Sequence, residues 1–189
     1  LGVLKTAQVQ ALSTDQVVAL TTGQVANLST GTIAALSSKQ VGAIETDDIQ
    51  ALSSKQLGSL ATSTIAALST DQIVALTTSQ VNTLSTSTIN GLSSTQVAAI
   101  ETDDIRALSS SQLNSLATAT VAALSTDQVQ ALRTNQLNSM NTAGIAALST
   151  NQATALTTDQ VGNLTTAAVQ ALTTTTVSAL GTDQIQAPS

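Results

Sequence analysis

The sequence contains no cysteine, no histidine and no aromatic residue. Without cysteine there is neither a disulfide framework nor a thiolate metal site. Without histidine the commonest acid–base group and metal ligand is missing. Without Phe, Tyr or Trp, any core has to be assembled from many small aliphatic contacts, because the large ring areas that dominate most cores are absent. Charge is scarce as well, at 8% of residues, with a net charge of −6. The five cations, Lys5, Lys39, Lys55, Arg106 and Arg133, are scattered. That excludes the basic patch a nucleic-acid backbone requires. No apolar run approaches the roughly 20 residues of a membrane span. No signal peptide is visible. Leu1 is expected to be the start of an excised segment, so that absence carries no weight.

What is present is one unit repeated. Leu or an equivalent recurs at every eighth position from Leu4 to Leu180, giving 23 octads over residues 4–187 of a single array, 1–189. The first position is Leu in all but three octads, which carry Ile44, Ile100 and Met140. The third is always Ser or Thr, from Thr6 to Thr182. The fifth is Gln in 14 octads, and the sixth is Val, Ile or Leu in all but one, where Ala153 stands. The eighth is usually Ala. A clean copy is Leu12-Ser13-Thr14-Asp15-Gln16-Val17-Val18-Ala19.

A longer period of seven octads lies over the short one, with copies at 13–68, 69–124 and, more weakly, 125–180. The first two copies agree at 42 of 56 positions. Of the 14 differences, five fall at octad position 4 and five at position 7, so these positions are the least constrained.

The period selects the fold. In one continuous helix, eight residues at about 100° each leave the apolar stripe about 80° out of phase per repeat, so no face survives. In one straight strand, positions 1 and 6 point to opposite faces. A short helix per octad satisfies both. The third-position Ser/Thr is the natural N-cap; alternatively Ser13-Thr14-Asp15-Gln16 is a capping box that starts one residue earlier. Seven acids (Asp15, Asp47, Asp71, Asp103, Asp127, Asp159 and Asp183) occupy position 4, in the first turn, where the helix dipole favours negative charge. On a helical wheel positions 5, 6, 8 and the next Leu form an inner arc, and positions 4 and 7 face out. One Leu and one Val cannot offset the ordering of eight residues, so each unit has to stack on its neighbours.

The expected fold is therefore all-α, a solenoid of very short helices, one per octapeptide. A β-solenoid with stacked Thr, Val and Gln columns is the alternative. It is opposed by the scarcity of Gly for corners and by the helix preference of Ala, Leu and Gln. The inward Gln column is expected to bond backbone groups at the breaks between helices. Substitutions recurring at every third octad (Gly91, Ser115, Ser139, Asn163) hint at three octads per turn, but the longer period of seven octads is not a multiple of three.

The residues at 12–20 resemble the opening helix of transcription-activator-like effector repeats. That resemblance implies a good helix start and nothing more, because the unit here is eight residues and the charge acidic. The array as a whole resembles the low-charge, Ser/Thr/Ala-rich octapeptide tracts of large secreted bacterial surface proteins of the adhesin kind. That resemblance implies a stalk, spacer or fibre subunit outside a bacterial cell.

Chemistry is thin. Glu45-Thr46-Asp47-Asp48 recurs as Glu101-Thr102-Asp103-Asp104. Three carboxylates in four residues suggest Ca²⁺, but an EF-hand loop needs spaced ligands and a Gly. The plainer reading is acids at a helix N-terminus near Lys39 and Lys55. Ser and Thr have no activating base. No catalytic, cofactor-binding or metal residue is expected, and no enzyme, cofactor, nucleic-acid or membrane partner. The leading expectation is an extracellular spacer or fibre-forming repeat whose ends stack on flanking repeats or on another copy. The alternative is a module whose repeated outer face (Gly23, Ala26, Gly31, Ala34 among others) binds ice, glycan or protein.

Overall fold

A computed structural model describes residues 4–187. These form 23 short helices, from Thr6–Gln10 to Thr182–Ile185, each of four to six residues, and no strand occurs among the described residues. The β-solenoid alternative is thereby excluded.

The N-cap is the second octad position, so of the two sequence registers the capping box holds, and the third-position Ser/Thr is the first helical residue. In the helix Thr70–Val74 the Ser69 Oγ accepts from Gln72 N at 3.1 Å, and Ser69 N donates to Gln72 Oε1 at 2.9 Å. Position 2 wins because it stands three residues before Gln, the spacing at which cap and side chain satisfy each other's backbone donors. The cap residues repeat one extended conformation, Ser69 at φ −70° and ψ 164° and Ser125 at φ −69° and ψ 161°. The helix ends when the next Leu turns extended, as Leu52 does at ψ 129°. No described residue has a positive φ. The chain therefore turns at every octad without needing the left-handed backbone that favours glycine.

The chain divides into two compact units, one up to Ala99 and one from Ile100. Within each, a helix packs on the helix three places further on: Thr22–Ala26 on Thr46–Ala51 in the first, Thr102–Ala107 on Thr126–Ala131 in the second. Each unit is thus a solenoid of short helices. Positions 1, 5 and 6 supply the core. Ile33, Ile49, Ile89, Ile105 and Leu137 are 0% exposed, and Leu52, Leu108 and Leu132 nearly so. Position 4 is exposed and so is position 7 apart from the half-buried Asn138 and Gly162, as the wheel and the drift between long copies required, and position 8 is mostly half-buried. At one position 8, Gly91, the turns approach closely: a Cβ added there would collide with Thr62 Cγ2.

Hydrogen bonds from one turn to the next span 25 residues (Ser38 Oγ to Ser63 O), 28 (Gln72 Nε2 to Ile44 O) and 31 (Gln72 Nε2 to Val41 O). A turn therefore holds between three and four octads.

Candidate functional site

The repeated device is the Gln at position 5. Its Oε1 accepts the N-cap N–H of its own octad, and its Nε2 reaches across to the previous turn. Gln80 Nε2 donates to Ile49 O and Leu52 O, both at 2.7 Å, and Gln152 Nε2 to Val121 O at 2.9 Å and Leu124 O at 2.7 Å. In the interior turns the Gln residues therefore do what their inward position suggested, bonding carbonyls at helix breaks of the turn before. Gln72, Gln80, Gln128, Gln136 and Gln152 are at most 3% exposed. No buried side-chain nitrogen or oxygen among the described residues lacks a partner. A buried amide left unpaired costs roughly 1–3 kcal/mol, so a complete column is what makes a polar ladder tolerable in this core.

Two octads without Gln show how the device is replaced. Gly144 and Ala168 have no side-chain acceptor for their N-cap N–H groups. Asn141 N instead donates to Asn114 Oδ1 at 2.6 Å, and Thr165 N to Asn138 Oδ1 at 2.7 Å. The same asparagines donate from Nδ2 to Ser139 O and Asn163 O, at 2.6 and 2.8 Å. Met140, which replaces Leu, fills the room beside Gly144, its Cε 3.1 Å from where a Cβ would stand. Reasoning from sequence missed these clamps. The available signal was an Asn at the otherwise drifting position 7, nearly four octads before each lost Gln.

The acidic runs are divided between inside and outside. Asp48 and Asp104 take the place of Gln in the column and are 3% exposed, whereas Glu45, Asp47, Glu101 and Asp103 are exposed. Glu45 and Asp47 line a cleft of about 430 Å³ together with Asp71. Among the described residues no three carboxylates stand close enough to hold a metal ion. No helix among the described residues is long and apolar enough to cross a membrane. On the outside, Gly23, Ala26, Gly31 and Ala34 are placed by the wheel at positions 4 and 7, and Gly23, Ala26 and the position-3 hydroxyls Thr14, Thr22, Thr46 and Thr70 are exposed.

The first and last described turns differ from the interior in opposite ways. In the first, Gln8, Gln16 and Gln24 are exposed while Val9, Val17 and Val25 are at most 1% exposed. In the last, Gln160 and Gln184 are buried while Val169, Val177 and Ile185 are 47%, 41% and 62% exposed. One surface presents amides, the other aliphatic side chains.

No curated protein matches the chain. The ALTTAQ repeat family matches at residues 1–30, 26–54, 41–78, 49–86, 97–134 and 131–166, more than half of the sequence. Its six letters fall on octad positions 8 and 1 to 5, as in Ala19-Leu20-Thr21-Thr22-Gly23-Gln24. They cover the core Leu, the cap, the first helical residue and the column Gln. By repeat and by the hardware that the repeat encodes, the chain belongs to the ALTTAQ repeat family.

Proposed function

We propose that the chain is a structural repeat region, a spacer or fibre-forming element at or beyond a bacterial cell surface, and not an enzyme. The observation that supports this most is the Gln ladder. It ties each turn only to the one before, through bonds spanning 28 and 31 residues, as at Gln136 to Leu108 O and Ile105 O. Octads can then be added or removed without redesigning a distant contact, the property a spacer of adjustable length needs. The resemblance to the low-charge repeat tracts of secreted surface proteins favours the outside of the cell.

The test is a deletion series. Removing seven octads, one copy of the longer period, should shorten the maximum dimension measured by small-angle X-ray scattering by the same step each time, with cooperative helical melting retained. A dimension that ignores octad number rules out the spacer. The second reading is a binding module for ice or glycan, favoured by the exposed position-3 hydroxyls such as Thr14, Thr22 and Thr70. An ice-recrystallisation assay and a glycan array address it directly.

A further inference from the structure

At Asp48 a charge interrupts the amide column. Asp48 stands at position 5, where most octads carry Gln, and is 3% exposed. In the octads on either side the column is intact. Gln40 Nε2 donates to Val9 O at 2.7 Å and Leu12 O at 2.9 Å, and Gln56 Nε2 to Val25 O at 3.3 Å and Leu28 O at 2.8 Å. The same offsets, 31 and 28 residues back, set Asp48 against Val17 O and Leu20 O. Val17 O accepts from Leu20 N at 3.1 Å, and among the described residues no side chain donates to either oxygen. Asp48 itself makes no side-chain hydrogen bond, and its cap residue Glu45 makes no side-chain cap bond. Because no fully buried side-chain oxygen among the described residues lacks a partner, the little exposure that Asp48 keeps falls on its carboxylate. The Asp side chain is one methylene shorter than Gln, so the carboxylate stops short of the place that the amide nitrogen fills in the neighbouring octads.

A carboxylate and two carbonyls are all acceptors, and burying them together without a donor is unfavourable. A water molecule has two hydrogens for three acceptors, whereas a cation is attracted to all three and neutralises the carboxylate. We propose that Asp48, with Val17 O and Leu20 O of the preceding turn, holds a hard cation in the place of the missing amide, Ca²⁺ being the best match. The donor set is oxygen alone, which suits Ca²⁺ and not the metals that select nitrogen or sulfur. Ca²⁺ also tolerates an irregular shell completed by water, and the solvent contact of the carboxylate admits that water. Mg²⁺ requires a near-ideal octahedron and gives up its own water reluctantly. The bound ion ties the helix Thr46–Ala51 to the turn before it, as the Gln amides do elsewhere. This site is separate from the exposed acids: Glu45 and Asp47 line the open cleft with Asp71, and nothing there beyond the acids themselves points to a ligand. Asp104, also 3% exposed, holds the same column place seven octads on. The site stands independently of the spacer reading.

The test is thermal melting of the full chain, followed by circular dichroism, as Ca²⁺ replaces a monovalent salt at constant ionic strength. With three protein oxygens the affinity is expected to be weak, a Kd of roughly 10⁻⁴–10⁻³ M. At about 10 mM Ca²⁺ the Tm should then rise by about 3–10 °C, and by much less with Mg²⁺. Asp48→Gln restores the consensus residue. It should raise the Tm without Ca²⁺, because an amide again donates to Val17 O and Leu20 O, and it should remove most of the Ca²⁺ response. Asp48→Asn keeps the size and removes the charge, so it should lose the response without that gain. Glu45→Gln combined with Asp47→Asn strips the exposed acids and should keep most of the response. A Tm that ignores Ca²⁺ overturns the proposal, and so does an equal response to Mg²⁺. An undiminished response in Asp48→Gln also overturns it, as does a response that disappears with the exposed acids and persists without Asp48.

Discussion

Two octads seven places apart in the array are almost the same peptide. Residues 12–19 and 68–75 differ only at Val17 and Ile73. Both form a five-residue helix with the same capping box, Ser13 with Gln16 and Ser69 with Gln72. Their apolar residues are equally sealed, Val17 and Ile73 at 1% exposure each. Yet Gln16 is exposed, and Gln72 is 3% exposed with its Nε2 on Val41 O and Ile44 O. One local sequence therefore makes one local structure, whereas the role of its most informative side chain depends on whether another turn lies against it. A motif that looks like helix capping in the first turn is a cross-turn staple in the interior.

Three measurements sharpen that comparison, in order of expected size. Ile73→Ala should cost about 2–4 kcal/mol of unfolding free energy, from a fully buried aliphatic position that leaves a cavity. Val17→Ala should act in the same direction and cost about 0.8 kcal/mol less, for one methylene fewer. Chemical denaturation of both variants checks this, and a near-neutral Ile73→Ala would mean that the core collapses around the gap. Next, Gln72→Ala should cost about 2–3 kcal/mol, because it strips two buried carbonyls and one N-cap N–H of a partner. Gln16→Ala should cost only about 0.5–1 kcal/mol, for the loss of a local cap. Equal losses in the same denaturation experiment would show that the cap, and not the staple, carries the stability. The smallest effect is a coupling. Met140→Leu alone opens space beside Gly144, and Gly144→Gln alone collides with Met140. The double substitution restores the consensus and lets position 144 reach toward Leu113 O and Leu116 O. A double-mutant cycle should show favourable coupling of about 1 kcal/mol; additive effects would show that the two exceptions arose independently.

Much of the fold was legible in the sequence because an eight-residue period conflicts with both regular structures and because Ser, Thr and Asp cluster just before each apolar stretch, where a helix starts. The outer face at positions 4 and 7 was legible twice, from the wheel and from the drift between 13–68 and 69–124. The capping register stayed open because Ser or Thr fills positions 2 and 3 alike in octads such as 12–19 and 76–83, and both residue types cap well. The number of octads per turn was not legible: the recurrence of Gly91, Ser115, Ser139 and Asn163 hinted at three, and the helices do pack three octads apart, while the hydrogen bonds between turns span 25 to 31 residues.

The sequence by itself determined that there is one helix per octad, which residues face inward, and that Gln must find partners at the breaks. These are matters of period, capping and burial, all decided within a single octad. Only the tertiary structure decided which carbonyls those Gln amides meet, how the Asn114 and Asn138 clamps stand in where Gln is lost, and that the first described turn shows amides while the last shows Val169, Val177 and Ile185. The reason is geometric. The number of octads in a turn follows from the small bend at each break summed over 25 to 31 residues, and a local pattern does not encode that sum.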